Sequence, residues 1–211
     1  MTFEELESEK IEFIPQYVRS LKMVFQNLKE TKDEIRKLLA NINREDDVLE
    51  HKLLMLIRNL TNNVYSGCEI INEMLRTLYR YDDRYRGGEL ANGFSSNFKA
   101  IYRSYVNKAE IKNNVYKDRL LVKFYLQTEK WYVILHDIRT QETHYSVGNI
   151  VISEKKVYYK NANRNGISKS LYMNPDKEIN ILITDVLNSA GSFLKAEQDL
   201  CGIISEELAR I

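Results

Sequence analysis

Arg139 and His144 are the residues of this chain whose types and spacing best suit chemistry: a permanent cation and a titratable imidazole, four residues between them, within WYVILHDIRTQETHYSVG at residues 131–148. A guanidinium stays charged and matches phosphate oxygens with a planar fork of donors. An imidazole has an unperturbed pKa near neutrality, so it can take or return a proton without a metal. His136 lies three residues before Arg139, on the same side of a helix, and is either an accessory donor or a packed histidine. Thr140 is the other accessory candidate. Asp137 and Glu142 read as partners of arginines or as solvated acids, and Trp131, Tyr132 and Tyr145 as core or interface.

These groups need an element to hold them. From Ile111 the apolar positions Val115, Leu121, Phe124, Thr128, Trp131, Leu135 and Ile138 recur at helical spacing, with no Gly or Pro between 111 and 143, so one helix is expected to deliver Arg139. On a continuous helix, five residues turn the chain by roughly 140° beyond one full circle. Arg139 and His144 therefore meet at one phosphate only if the helix breaks before His144 or a second chain takes part. The alternative for the pair is a helix C-terminal arrangement, cations complementing the negative end of the dipole and the last carbonyls.

The remaining elements follow from the same periodicity. Ile14, Val18, Leu21, Phe25, Leu28, Ile35, Leu39 and Ile42 form the seam of a long helix beginning around Pro15, interrupted at Lys32, with a short helix within Thr2 to Glu12 before it. Leu53 or Leu54, Ile57, Thr61, Val64, Cys68, Ile71, Leu75 and Leu78 form a second, stopping at Gly87-Gly88 as the antiparallel partner of the first. Its last turns carry Arg76, Arg80 and Arg84 with Tyr79, Tyr81 and Tyr85 between them. That ridge is a candidate RNA-binding surface or a solvated face complementing the dipole, with Asp82 and Asp83 offsetting part of its charge. A helix resumes at about Ser96. Beyond Gly148 the period changes: NIVISEKKVYYK and ISKSLYM, separated by NANRNG with its Asn165-Gly166 turn signal, predict a β-hairpin at about 149–173. Asn174, Pro175, Asp176 and Glu178 then open a last helix through Ile179, Leu182, Val186, Ala190, Phe193, Leu200, Ile204 and Leu208. The expected fold is mainly α: an antiparallel bundle of four to five long helices with a small β-hairpin inserted before the last, a single domain over 1–211.

Composition agrees with that fold and narrows the function. Two Pro and eight Gly in 211 residues leave little room for linkers, and 44% hydrophobic with 29% charged residues is a soluble globular balance. The net charge of +1 provides no whole-molecule attraction for polyanions, so a nucleic-acid site would be a local patch. Cys68 and Cys201 fall in helical apolar patterns and read as reduced core thiols in a cytoplasmic protein. No run approaches membrane-spanning length, and the acidic N-terminus lacks the features of an export signal. Glycine-rich phosphate loops, a GxSxG elbow and paired Glu-x-x-His motifs are all absent. The three histidines, at 51, 136 and 144, lie far in sequence from the cysteines, so no metal and no cofactor is expected.

Arg139-Thr140-Gln141-Glu142-Thr143-His144, at the end of a bundle helix, resembles the R-x4-6-H motif of the HEPN superfamily. The resemblance covers about Ile138 to Gly148 and the general helical layout. It implies a homodimer in which two motifs face one RNA-binding cleft, and metal-independent endoribonuclease activity of a toxin-antitoxin or defence type, with a protein antitoxin as a further partner. Arg139 would orient and neutralise the scissile phosphate, and His144 would exchange a proton as the ribose 2′-hydroxyl attacks. Against it stands a different class, a non-catalytic helical dimerisation or adaptor protein that binds a protein or nucleic acid.

Overall fold

In the computed structural model, residues 2–7, 13–41, 47–80, 88–144, 148–153, 156–161 and 179–209 are described, with 3, 7, 47, 141–144, 161, 179 and 180 described through their backbone. The order is α1 (Phe3–Glu7), α2 (Phe13–Asn41), α3 (Asp47–Arg80), α4 (Phe94–Tyr105), a 3-10 turn (Asn114–Lys117), α5 (Arg119–His144), β1 (Asn149–Ser153), β2 (Lys156–Asn161), β3 (Ile179–Leu182) and α6 (Ile183–Leu208). The fold is mainly α, with a three-stranded antiparallel meander, β1-β2-β3, preceding the last helix. The chain forms two compact units, and α2, α3, α5 and α6 each contribute a part to both.

The first unit comprises Met1–Phe25, Ser66–Glu129 and Phe193–Ile211. Its core holds the predicted seam positions Ile14, Val18, Leu21, Phe25, Cys68, Ile71, Leu75 and Leu78, all buried. Phe25 meets Phe193 edge to face at 5.3 Å between centroids, and Phe94 packs on Tyr125 at 4.9 Å. Gly67, inside α3, is explained by that packing: a Cβ there would stand 2.6 Å from the Phe193 ring, so only glycine lets the phenyl group sit against the α3 backbone. The N-terminus of α4 is capped from another helix, with the Phe94 N–H donating to Glu69 Oε2 at 3.3 Å, where a carboxylate also suits the helix dipole.

The second unit comprises Gln26–Tyr65 and Lys130–Ser192. Leu28, Ile35, Leu53, Ile57, Leu60 and Val64 are buried there with Trp131, Leu135, Ile138 and Val186. In α2 and α3, Glu34 pairs with Lys52 at 2.8 Å, consistent with the antiparallel hairpin expected of these helices. Register in the sheet sets Ile150 opposite Tyr159 and Tyr159 opposite Ile181. Ile150 and Tyr159 turn inward and are buried, while Asn149 and Ser153 at the ends of β1 are exposed.

Three expectations are corrected. The helix predicted from Ile111 starts at Arg119. Before it, the Asn113 side chain accepts from Val115 N–H to cap the 3-10 turn, and Asp118 Oδ1 accepts from Leu121 N–H at 2.8 Å to cap α5. Val115 is buried as expected, from the 3-10 turn. NIVISEKKVYYK, read as one strand, is both strands of a hairpin. Its intended second strand, ISKSLYM, and the Asn165-Gly166 turn lie outside the described residues. Ile179 and Leu182, read as the first turn of the last helix, are strand β3, paired with β2; α6 begins at Ile183, and Asn174–Glu178 lie outside the described residues. INIL satisfies both a period of two and a three-to-four spacing, and pairing with β2 decides between them.

Candidate functional site

α5 has no exposed residue from Trp131 to Thr140: Trp131, Tyr132, Leu135, Asp137 and Ile138 are buried and the others half-buried. Polar side chains in its final turns are therefore held against packed surface. Asp137 is buried, at 6% exposure, and His136, Arg139 and Thr140 are half-buried.

Within the second unit these groups form one constellation. The His136 ring stacks at a tilt on Tyr132, 5.1 Å between centroids. Its Nδ1 stands 3.5 Å from Thr140 Oγ1 and 3.7 Å from Asp137 Oδ1. The tilted stack and the threonine follow from the i to i+4 spacing along one helix face. A hydroxyl and a carboxylate beside the same ring nitrogen can select the tautomer and steady the ring.

Arg139 is positioned from another helix. Its guanidinium carbon lies 3.7 Å from the centroid of the Tyr65 ring on α3. Stacking uses the face of the guanidinium; its N–H donors lie in the plane and are directed sideways, the geometry in which an arginine both rests on an aromatic ring and reaches an anion. Tyr65 is the residue that sequence reasoning did not single out. It sits on α3 beside the buried Val64, and no local signal links it to Arg139.

The backbone of α5 continues without a break through His144, its last residue. Over those five residues an α-helix advances about 7.5 Å and turns about 140° past a full circle. The two motif positions therefore lie about 140° apart around the same helix. The side chains of residues 141–144 lie outside the described residues, as does Tyr145.

Arg76 and Arg80 of the α3 ridge are engaged within the first unit. Arg76 Nε and Nη2 lie 3.2 and 3.0 Å from Glu89 Oε1, Arg76 Nη1 is 3.3 Å from Glu73, and Arg80 also donates to the Glu89 carboxylate. Arg80 first, then Arg76, holds the Glu89 carboxyl below the usual glutamate range. Arg84 lies outside the described residues.

Both thiols are free and buried. Burial raises Cys68 well above the normal thiol range, and burial first, then the charge of Glu197, pushes Cys201 up to about 11. Such thiols stay protonated at neutral pH and are poor nucleophiles. Among the described residues, no three or more His, Cys, Asp or Glu side chains are grouped to hold a metal ion, and no helix is long and apolar enough to cross a membrane.

Comparison with protein-family models, curated proteins and solved structures finds no match to this chain.

Proposed function

We propose that this chain is a HEPN-like, metal-independent endoribonuclease that acts as a homodimer, with RNA cleaved through attack of the 2′-hydroxyl. In this reading Arg139, braced by Tyr65, neutralises the scissile phosphate. His144 exchanges the proton of the attacking hydroxyl or the leaving oxygen, and His136 with Thr140 supplies accessory donors. The observation that carries the dimeric form of the reading is the unbroken course of α5 through His144. With no break in the helix, arginine and histidine are brought to one phosphate by pairing Arg139 of one protomer with His144 of the other. A toxin or defence role, with a protein antitoxin, is the setting that the motif resemblance suggests.

The second reading, a non-catalytic helical adaptor, is favoured by a different observation. Arg139 stacks on Tyr65, and Arg76 and Arg80 hold Glu89, so these cations already have structural work inside their units.

The test is a complementation assay on RNA in the presence of chelator. Wild type should cleave, while Arg139→Gln and His144→Ala should each fall to background. Mixing and exchanging the two variants should restore up to about a quarter of the activity, because half of the dimers are mixed and each of these keeps one intact site. Background cleavage by wild type would favour the adaptor. Full wild-type cleavage with no recovery on mixing would place the reaction within one protomer.

A further inference from the structure

The charge of this chain is unevenly spread. Between Lys99 and Lys123 there are seven cations, Lys99, Arg103, Lys108, Lys112, Lys117, Arg119 and Lys123, against two carboxylates, Glu110 and Asp118. That is a local excess of five in a chain of net charge +1, so the remainder is −4. The whole segment belongs to the first unit, and all its residues are described.

The structure leaves these cations facing solvent. Six of the seven are exposed, and Lys99 is half-exposed. Several described cations elsewhere have acidic partners: Lys22 meets Glu4, Arg36 meets Asp33, Lys52 meets Glu34, and Arg76 and Arg80 share Glu89. In the 99–123 segment no cation makes an ion pair with a described carboxylate; Lys117 donates only to the amide oxygen of Asn114, at 2.9 Å. Of the nearby acids, Glu110 is exposed among the cations, and the others are committed. Asp118 is buried and caps α5, Glu89 is taken by two arginines, and Glu129 accepts from the Tyr102 hydroxyl.

Hydrogen bonds tie the connection between α4 and α5 to both its ends. The Tyr105 hydroxyl donates to the Tyr116 carbonyl at 2.8 Å, tying the end of α4 to the 3-10 turn before α5. Ala109 N–H reaches the Arg103 carbonyl at 3.1 Å, folding the connection back on α4. Lys108, at the bend, has φ of 56°, a left-handed conformation that glycine adopts more readily, so the turn presents a cation where no side chain is needed for geometry. The same hydrogen bond that ties Tyr105 holds its ring, which is 39% exposed and stands in the chain between Arg103 and Lys108.

We infer that the connection between α4 and α5, with Arg103, Lys108, Lys112 and the Tyr105 ring at its centre, is a binding surface for single-stranded RNA. Unpaired cations along a ridge attract a phosphate backbone, and a fixed, exposed aromatic ring is a stacking platform for a base. An anionic membrane would share the charge attraction, but the apolar groups here, Tyr105 and Val106, form no wide amphipathic face for insertion. The inference rests on the proposed function for the choice of RNA; binding itself requires no cleavage.

The test uses fluorescence anisotropy with a labelled single-stranded RNA carrying 2′-O-methyl riboses, which cannot be cut through the 2′-oxygen. The combined variant Arg103→Gln, Lys108→Gln and Lys112→Gln removes three cations from the surface. A charge-matched control, Lys29→Gln, Arg36→Gln and Lys37→Gln, removes three exposed cations from α2. Circular dichroism melts confirm that both fold. Relative to wild type, the surface variant should bind about tenfold or more weakly at ~0.15 M salt, and its log–log salt slope should shrink by about 2, since each lost phosphate contact on a single strand removes about 0.7. The control should match wild type. No binding by wild type at low salt, or equal loss in both variants, overturns the inference. So does a phenotype confined to phosphatidylserine vesicles, with RNA affinity unchanged. The two readings fail separately: RNA bound through this surface without cleavage of total RNA removes the nuclease and keeps the surface, whereas cleavage with unchanged binding by the surface variant does the reverse.

Discussion

The guanidinium of Arg139 on α5 rests on the face of the Tyr65 ring on α3, 3.7 Å from its centroid. This contact joins the candidate catalytic arginine to a helix distant in sequence. Replacing Tyr65 by Leu removes the π face and should lower stability by roughly 1 kcal/mol, whereas Tyr65→Phe should retain most of the contact. Urea unfolding of the two variants measures the difference. Equal losses would mean that the ring serves as bulk alone.

A second prediction concerns polar groups buried in the first unit. Asn72 and Asn97 are both fully buried, and Asn97 Nδ2 donates to Asn72 Oδ1 at 2.6 Å. Asn97 Oδ1 accepts from Ala91 N–H and from the Tyr116 hydroxyl, each at 2.8 Å, while the Tyr125 hydroxyl donates to Asn72 at 3.1 Å. Asn97→Ala would strand several of these groups and should cost about 2–4 kcal/mol, near the upper range for one buried unsatisfied group and more than a surface asparagine would. Chemical denaturation tests this, and hydrogen exchange at the Ala91 amide should quicken alongside.

Glu89 supplies a prediction with a definite pH sign. Arg80 and Arg76 lower its carboxyl below the ordinary glutamate value. The folded state therefore binds that proton less readily than the unfolded state. Its contribution is complete above the unfolded pKa and is lost as pH falls through the lowered folded value. Carboxyl NMR titration should find Glu89 below an ordinary glutamate, and Arg80→Gln should move it back up. Because the group is exposed, added salt should shrink the shift.

Gly148 marks the passage from the α5 motif to the sheet. A Cβ there would lie 2.4 to 2.6 Å from the fully buried Tyr159 ring. Gly148→Ala should cost about 1–3 kcal/mol through overpacking, and Tyr159→Leu in the same chain should recover part of that loss. Thermal melts of the single and double variants form the required cycle; strict additivity would show that the two positions do not press on one another.

The long helices were legible because their information is local: apolar residues repeat with the helical period along each chain segment, and Ile14 to Ile35 and Leu53 to Leu78 are buried largely as that repeat requires. The same locality made Arg139, His136 and Thr140 recognisable as neighbours on one helix. It also set the angular problem between Arg139 and His144, since helical geometry follows from spacing alone. Partners from distant segments were not legible. Nothing around Tyr65 announces that an arginine will stack on it, nothing around Glu89 announces two arginines, and INIL becomes strand β3 only because β2 offers it a hydrogen-bonding edge. Period and propensity determine what each segment can become; which ring, carboxylate or strand edge it meets depends on long-range packing, and that packing pairs Arg76 and Arg80 of α3 with Glu89 while leaving the cations between α4 and α5 exposed.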